Sequence, residues 1–218
     1  MNNILFIGKE GDHFSDIASI YLQELFSDVE ICKSSKKVQI PESCYEWKGD
    51  YIFSYLSQWI IPQEILENAS IAALNWHPGP PSYPGIGCTN FAIYNEEKQF
   101  GITCHHMNPK VDTGLIVDVK YFPIIENETV LSLTYKSYAT IFNSFVEIIN
   151  LIKENRVLPS SSEKWQRKPY KRKQLNDLCK LSLDMSKEEI EKRIKATKYI
   201  THWSYFEING RKFKLSEE

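Results

Sequence analysis

Ile71-Ala-Ala-Leu-Asn75-Trp-His77-Pro-Gly-Pro-Pro-Ser-Tyr83-Pro-Gly85 decides the fold. Ile71–Trp76 is a short, mostly apolar run, the pattern of a strand buried in a sheet. It passes directly into His77-Pro78-Gly79-Pro80-Pro81, where proline forbids helical continuation and removes backbone donors. Toward the N-terminus, Ile4–Ile7 is a second apolar run, stopped at Gly8. Phe14, Ile17, Ala18, Tyr21, Leu22, Leu25 and Phe26 then recur at one helical face. Strands are expected at Val29–Lys33 and Asp50–Ser54, and Pro62 is placed to open a helix over Gln63–Glu67. Such β-α-β alternation predicts an α/β fold: a Rossmann-like, doubly wound, mostly parallel sheet with right-handed crossovers. Ligands in such sheets bind beyond the carboxyl ends of the strands, which directs attention to the Asn75–Gly87 loop.

Toward the C-terminus, Thr89–Asn95 reads as a helix, with strands at Phe100–Met107 and Leu115–Phe122. Thr129 is a cap for a long helix reaching about Glu154. Pro159-Ser160-Ser161-Ser162 marks a boundary, dividing a Rossmann-like unit at 1–158 from an extension at 159–218. The extension is expected to hold a small helix, opened by the capping box Ser186–Glu189, and a β-hairpin. The hairpin joins Trp203–Ile208 to Arg211–Leu215 through Asn209-Gly210. Its edge would leave backbone groups unpaired unless covered, so a homodimer through this part is expected.

The chain of 218 residues is 42% hydrophobic and carries a net charge of −2, which excludes wholesale disorder, collagen-like repeats and coiled coil. Apolar runs fall short of the roughly 18 residues that span a bilayer, and the opening Met-Asn-Asn-Ile-Leu-Phe-Ile lacks a basic leader. A cytoplasmic protein that avoids membranes is expected. Cys32, Cys44, Cys88, Cys104 and Cys179 are odd in number and scattered, which argues for reduced, buried thiols rather than a disulfide scaffold or zinc ribbon. Residues 1–150 hold 9 basic and 18 acidic residues, whereas 151–218 hold 17 and 10. The block Arg167-Lys-Pro-Tyr170-Lys-Arg-Lys173 carries much of that excess. It reads as a solvated face or as a contact for phosphate, with Arg167 and Tyr170 the candidate ligand contacts; Trp165 beside it reads as core, lid or ligand contact. Nucleic acid is not expected, because a recognition motif and an overall basic charge are both missing.

The candidate chemistry lies at strand ends. Asn75 and His77 are two apart in an extended segment, so both side chains point to one side. Asp112, in the turn Val111-Asp-Thr-Gly114, is placed to approach the histidine. An amide donor, an imidazole and a carboxylate suit acyl transfer to an amine. The imidazole takes a proton, the amide stabilises the developing oxyanion, and the carboxylate fixes the tautomer. Spacing alone leaves open a capped turn histidine with no chemistry. Adjacent strand residues face opposite ways, so His105 and His106 are not expected to share a metal, and only one faces the cleft. Gly8-Lys9-Glu10-Gly11 lacks dinucleotide and Walker spacing; Lys9 and Gly11 meet either a nucleotide or solvent.

The run Asn75-Trp-His-Pro-Gly-Pro-Pro-Ser-Tyr-Pro-Gly85 resembles the Asn-x-His-Pro motif of the formyl-tetrahydrofolate-dependent formyltransferase family. Gly101-Ile-Thr-Cys-His-His-Met107 followed by Val111-Asp-Thr-Gly114 resembles that family's second motif, and Tyr51–Pro62 its folate-side strand and loop. The resemblance implies Asn75, His77 and Asp112 as catalytic residues and formyl-tetrahydrofolate as co-substrate. It also implies folate contacts from Trp59, Ile60 and Ile61 and from Asn108, Val111 and Asp112. More weakly, Glu163–Leu215 resembles the nucleotide-sugar N-formyltransferase branch, which implies a UDP- or dTDP-linked amino sugar as partner, destined for surface polysaccharide. Lys9, Gly11, Tyr83, Gly85, Asn90, His105, Arg167 and Tyr170 are then candidate substrate contacts. The family's usual Ser-Leu-Leu-Pro is replaced here by Gly79-Pro80-Pro81-Ser82, which implies a reshaped acceptor side. The rival readings are a formyl-tetrahydrofolate hydrolase, a glycinamide ribonucleotide formyltransferase, and a non-catalytic binding module.

Overall fold

A computed structural model describes residues 2–199 and 203–215. Its centre is a six-stranded sheet in the order β2-β1-β3-β4-β5-β6. The strands are β1 (Asn3–Lys9), β2 (Asp28–Ser34), β3 (Gly49–Tyr55), β4 (Ala69–His77), β5 (Gln99–His106) and β6 (Ile116–Pro123). The first four are mutually parallel, and β5 runs antiparallel to both neighbours. Every strand expected from the sequence is present. The chain reverses direction across β1, winding to β2 on one side and β3 on the other, which defines the switch point at the carboxyl edge.

Side-chain alternation divides the helices between the two faces. Ile4, Phe6, Phe53, Tyr55 and Trp76 point to one face, where α1 (His13–Leu25) and α5 (Val130–Lys153) cover them. Phe145 of α5 is fully buried, with its ring edge-on to Trp76, Tyr55, Phe53 and Phe6. Leu5, Ile7, Ile52 and Cys32 point to the other face, under α2 (Glu42–Glu46) and α3 (Gln63–Leu66). Both long helices start on a side-chain cap: Asp12 accepts from the Ser15 amide and Thr129 from the Ser132 amide.

A third cluster joins α4 (Cys88–Tyr94) to the C-terminal part through Phe91, Phe100, Tyr170, Leu175 and Ala196. That part is richer than the sequence suggested. Besides α7 (Lys187–Thr197), capped by Ser186, it contains α6 (Arg172–Cys179) and a short β7 (Lys180–Leu181). β7 pairs with the hairpin β8 (Tyr205–Ile208) and β9 (Arg211–Lys214) to make a three-stranded sheet. Among the described residues, no helix is long and apolar enough to cross a membrane.

Candidate active site

β4 carries Asn75 and His77 to the carboxyl edge of the sheet, with Trp76 between them turned into the core. The loop that follows is rich in proline, so Pro80, Pro81 and Pro84 offer carbonyls and no N–H groups. Donors come to them from elsewhere. Tyr83 N–H donates to Pro80 O (2.8 Å), Gln166 N–H to Pro81 O (3.0 Å) and Tyr170 N–H to Pro84 O (2.9 Å). Two of these three donors belong to the C-terminal part, which is therefore stitched to the loop beside His77. Gly85 sits at φ +89°, and a Cβ there would lie 2.4 Å from the Tyr170 carbonyl oxygen. Only glycine permits so close an approach.

Asp112 reaches the same place from the turn between β5 and β6, in a left-handed conformation (φ 47°). Its Oδ2 lies 3.2 Å from His77 Nδ1 and accepts the Gly85 N–H at 2.7 Å. Its Oδ1 lies 3.3 Å from His105 Nε2. The turn is fixed at Gly114, where a Cβ would come within 1.7 Å of the His106 carbonyl oxygen. Asn75 Nδ2 lies 3.1 Å from His105 Nε2. The three residues proposed from the sequence are thus brought together, with His105 as a fourth member linking Asn75 to Asp112. His77, His105 and Asp112 are all buried.

Hydrogen-bond partners constrain the protons. A carbonyl oxygen accepts only, so His105 Nδ1–H donates to His106 O at 2.8 Å. In the neutral ring Nε2 then accepts from the Asn75 amide, which keeps its second N–H for another acceptor; in the charged ring Nε2–H donates to Asp112 Oδ1 instead. His77 lies between two acceptors, the Tyr83 carbonyl 2.8 Å from Nε2 and the Asp112 carboxylate 3.2 Å from Nδ1, so the neutral ring serves one of them and the imidazolium both. Burial would raise the Asp112 pKa, but the His77 charge, the His105 hydrogen bond and charge, and the Gly85 N–H outweigh it and hold the carboxyl at about 2. Asp112 is therefore a carboxylate at neutral pH. Burial and neighbouring His105 push the His106 imidazole below its ordinary value.

Trp165 roofs the cluster, the lid among the readings open to it from the sequence. Its ring stands edge-on to His77 and His105, with centroids 5.9 and 5.1 Å away, and its Nε1–H donates to Gly114 O at 2.8 Å. The two loops named as folate-side meet on the other face of the sheet. Trp59, Ile61 and Met107 pack on one apolar cluster with Leu5, Ile7 and Ile65. Trp59 Nε1–H is shared between Ser35 O (3.0 Å) and Val38 O (2.9 Å). Asn108 Oδ1 accepts from Thr113 Oγ1 and the Lys110 amide, bracing the second loop. Ile60 and Val111 remain 69% and 42% exposed on these braced loops.

The other candidates occupy different surroundings. Lys9 pairs with Asp12 at 2.8 Å and lies over the Tyr138 ring, at the end of β1. Gly11 (φ +65°) has open space where a side chain would be. Tyr83 donates its hydroxyl to Glu97 at 2.6 Å, and Asn90 Nδ2 donates to Ala196 O at 2.7 Å, tying α4 to α7. Tyr170 is buried, stacked on Phe91 at 3.8 Å, with the Arg167 guanidinium 3.5 Å above its ring. Among the described residues, no group of three or more His, Cys, Asp or Glu is arranged to hold a metal ion.

Residues 30–148 match the formyl transferase family. The chain belongs to that family. Over 97 residues it is 34% identical to the bifunctional polymyxin resistance protein ArnA of Wigglesworthia glossinidia brevipalpis, a match covering 44% of this chain and 15% of that protein. The chain thus spans less than a sixth of the length of this curated relative. Solved structures share the fold over nearly all of it. A sugar N-formyltransferase from Shewanella superposes with a TM-score of 0.78 at 21% identity, covering 98% of this chain and 96% of the other. The Helicobacter canadensis N-formyltransferase, solved with folinic acid and dTDP-3-aminofucose, gives 0.74 at 22% identity, covering 97% and 86%. A 4-N formyltransferase from Francisella tularensis gives 0.76 at 20%, covering 99% and 97%.

Proposed function

We propose that the chain is an N-formyltransferase that moves a formyl group from formyl-tetrahydrofolate to the amine of a UDP- or dTDP-linked amino-deoxy sugar. The observation that carries this reading is the Asn75–His105–Asp112–His77 cluster at the carboxyl end of β4, inside the family match. The folate supplies an activated formyl carbon. Asn75 donates its second amide N–H to the formyl oxygen as negative charge gathers there, a contact worth on the order of 3 kcal/mol. His77 accepts the amine proton, and Asp112 stabilises the resulting imidazolium. Nε2 is the accepting nitrogen, in the neutral tautomer that keeps its proton on Nδ1 toward Asp112; the incoming amine replaces the Tyr83 carbonyl against it, and catalytic hydrogen bonds commonly form only with substrate present. The N–C bond to the sugar forms, the N–C bond to the folate breaks, and the folate nitrogen regains a proton. The braced loops carrying Ile60 and Val111 suit a flat pterin, with Trp59, Ile61 and Asn108 holding them in place.

The nucleotide sugar would lie toward Lys9 and Gly11, along the carboxyl edge near the switch point. We assign residues 1–158 as the catalytic unit and 159–218 as an extension that roofs it through Trp165. Five buried free thiols match a reducing cytoplasm. β9 is the outer strand of its sheet, and Ile208 and Phe213 are about half exposed, which supports a homodimer through that sheet. A monomeric mass at micromolar concentration would exclude it. The function is tested by incubating the chain with formyl-tetrahydrofolate and a panel of UDP- and dTDP-linked amino sugars. One sugar should gain the mass of a formyl group. Formate release at the full rate with no acceptor, and none of the sugars formylated, would replace the reading with hydrolysis.

A further inference from the structure

Cys32, on the edge strand β2, and Cys44, in α2, bring their sulfurs to 2.7 Å from each other. They are 7% and 0% exposed and take no part in the chemistry above. The register sets Cys32 beside Ile7, on the sheet face shared with Ile61 and Trp59. The segment between the two cysteines is the strap that grips the folate-side loop. Ser35 O and Val38 O accept from Trp59 Nε1–H. Ser34 Oγ accepts from the Gln58 amide at 2.8 Å, and Lys36 N–H donates to Gln58 Oε1 at 3.0 Å.

We propose that Cys32 and Cys44 form a modification site, a dithiol that peroxides convert to an intramolecular disulfide, closing residues 33–43 into a ring around Trp59. The Cys32 sulfur attacks one oxygen of hydrogen peroxide; an S–O bond forms, the O–O bond breaks, and the released hydroxide leaves as water with the thiol proton. The Cys44 sulfur then forms the S–S bond and expels the sulfenic oxygen as a second water, taking the Cys44 proton. Two thiols lose two hydrogens and one peroxide becomes two waters.

Three features support this course. A disulfide holds its sulfurs at about 2.0 Å, so closure asks for a movement of only ~0.7 Å. The hydrogen bond between the two sulfurs and, more weakly, the Ser43 hydroxyl hold the Cys32 pKa below its ordinary value despite burial. Cys44 is pushed up by that same hydrogen bond and by burial; with Cys32 on the edge strand and 7% exposed and Cys44 fully buried, Cys32 is the attacking sulfur and Cys44 the resolving one. Position on an edge strand gives a small oxidant a short path to Cys32.

The full chain is treated with hydrogen peroxide, denatured, alkylated with iodoacetamide and digested. The expected product is one cross-linked peptide pair, Cys32 to Cys44, lighter by two hydrogens, with Cys88, Cys104 and Cys179 alkylated. Melting should rise by about 5 °C in the oxidised over the dithiothreitol-reduced chain. A Cys44→Ser variant should lose both effects and leave Cys32 as a sulfenic acid that dimedone labels. Alkylation of both cysteines after peroxide, or a cross-link between other cysteines, overturns the proposal. The coupling to Trp59 rests on the folate reading: contraction of the strap should weaken tetrahydrofolate binding about fivefold on oxidation, and not in Cys44→Ser. Equal affinities in the two redox states overturn the coupling, whereas failure of the reduced chain to bind tetrahydrofolate counts against the folate reading and leaves the cross-link result intact.

Discussion

Asp112 and Glu207 each hold a basic partner at 3.2 Å, yet they stand in opposite kinds of surroundings. Asp112 and His77 are both 5% exposed at the carboxyl edge of β4, with His105, Gly85 and Trp165 closing the space around them. Lys180 and Glu207 are 50% and 35% exposed on the C-terminal sheet, where water screens them. Coulomb attraction at one distance does different things in the two places. Inside the cluster it sets protonation states and orients rings. On the outer sheet it contributes almost nothing to stability, and charge there serves to keep an edge soluble.

The largest effect that would sharpen this contrast is on turnover. Asp112→Asn and His77→Asn should each lower formyl transfer about a thousandfold while circular dichroism stays native, since a general base and its orienting carboxylate act as a unit. Full activity in either variant breaks the assignment. Next comes Phe145→Ala, which removes the ring packed on Phe6, Phe53, Tyr55 and Trp76 and should cost about 3–5 kcal/mol in urea unfolding. Acid unfolding isolates Asp112 itself. Its folded pKa, about 2, lies below the ordinary 3.8, so its stabilisation is complete above the unfolded value and is lost as pH falls toward 2. About 2 kcal/mol should disappear between about pH 5 and pH 2 in the natural chain, and Asp112→Asn should lack that slope. Asn90→Ala strands the buried Ala196 carbonyl and should cost about 1–3 kcal/mol, read as a lower melting temperature. Glu207→Gln should change stability by less than about 0.5 kcal/mol; a larger loss would mean the outer sheet is covered by something that excludes water.

What the sequence made legible follows the strength of its periodicities. The strands from Ile4 to Phe122 and the two long helices carry many side chains each, so their patterns are unambiguous, and Asn75 and His77 share a side because strand geometry requires it. Short polar elements were not legible. α6 (Arg172–Cys179) lies in a stretch dominated by charge, and its helix depends on Leu175 and Leu178 docking against α4, a tertiary fact. The packing inside the basic block was not legible for the same reason: Tyr170 is buried on Phe91 with Arg167 laid across it. His105 was foreseen near the cleft, but its place between Asn75 and Asp112 depends on a left-handed residue at 112 that local sequence does not announce. Trp165 lies more than fifty residues from any other member of the cluster, so from sequence it stays divided between core, lid and ligand contact.

The stitching of Gln166 and Tyr170 onto Pro81 and Pro84 also sets an order of events during synthesis. The central sheet can be complete when residue 123 has been made, but the roof over His77 arrives only with residues 165–170. A nascent or prematurely terminated chain would carry an open, wet imidazole cluster on an otherwise finished sheet. Such a fragment would be exposed to proteases at the proline loop, so that loss of the tail removes the protein and not merely its activity.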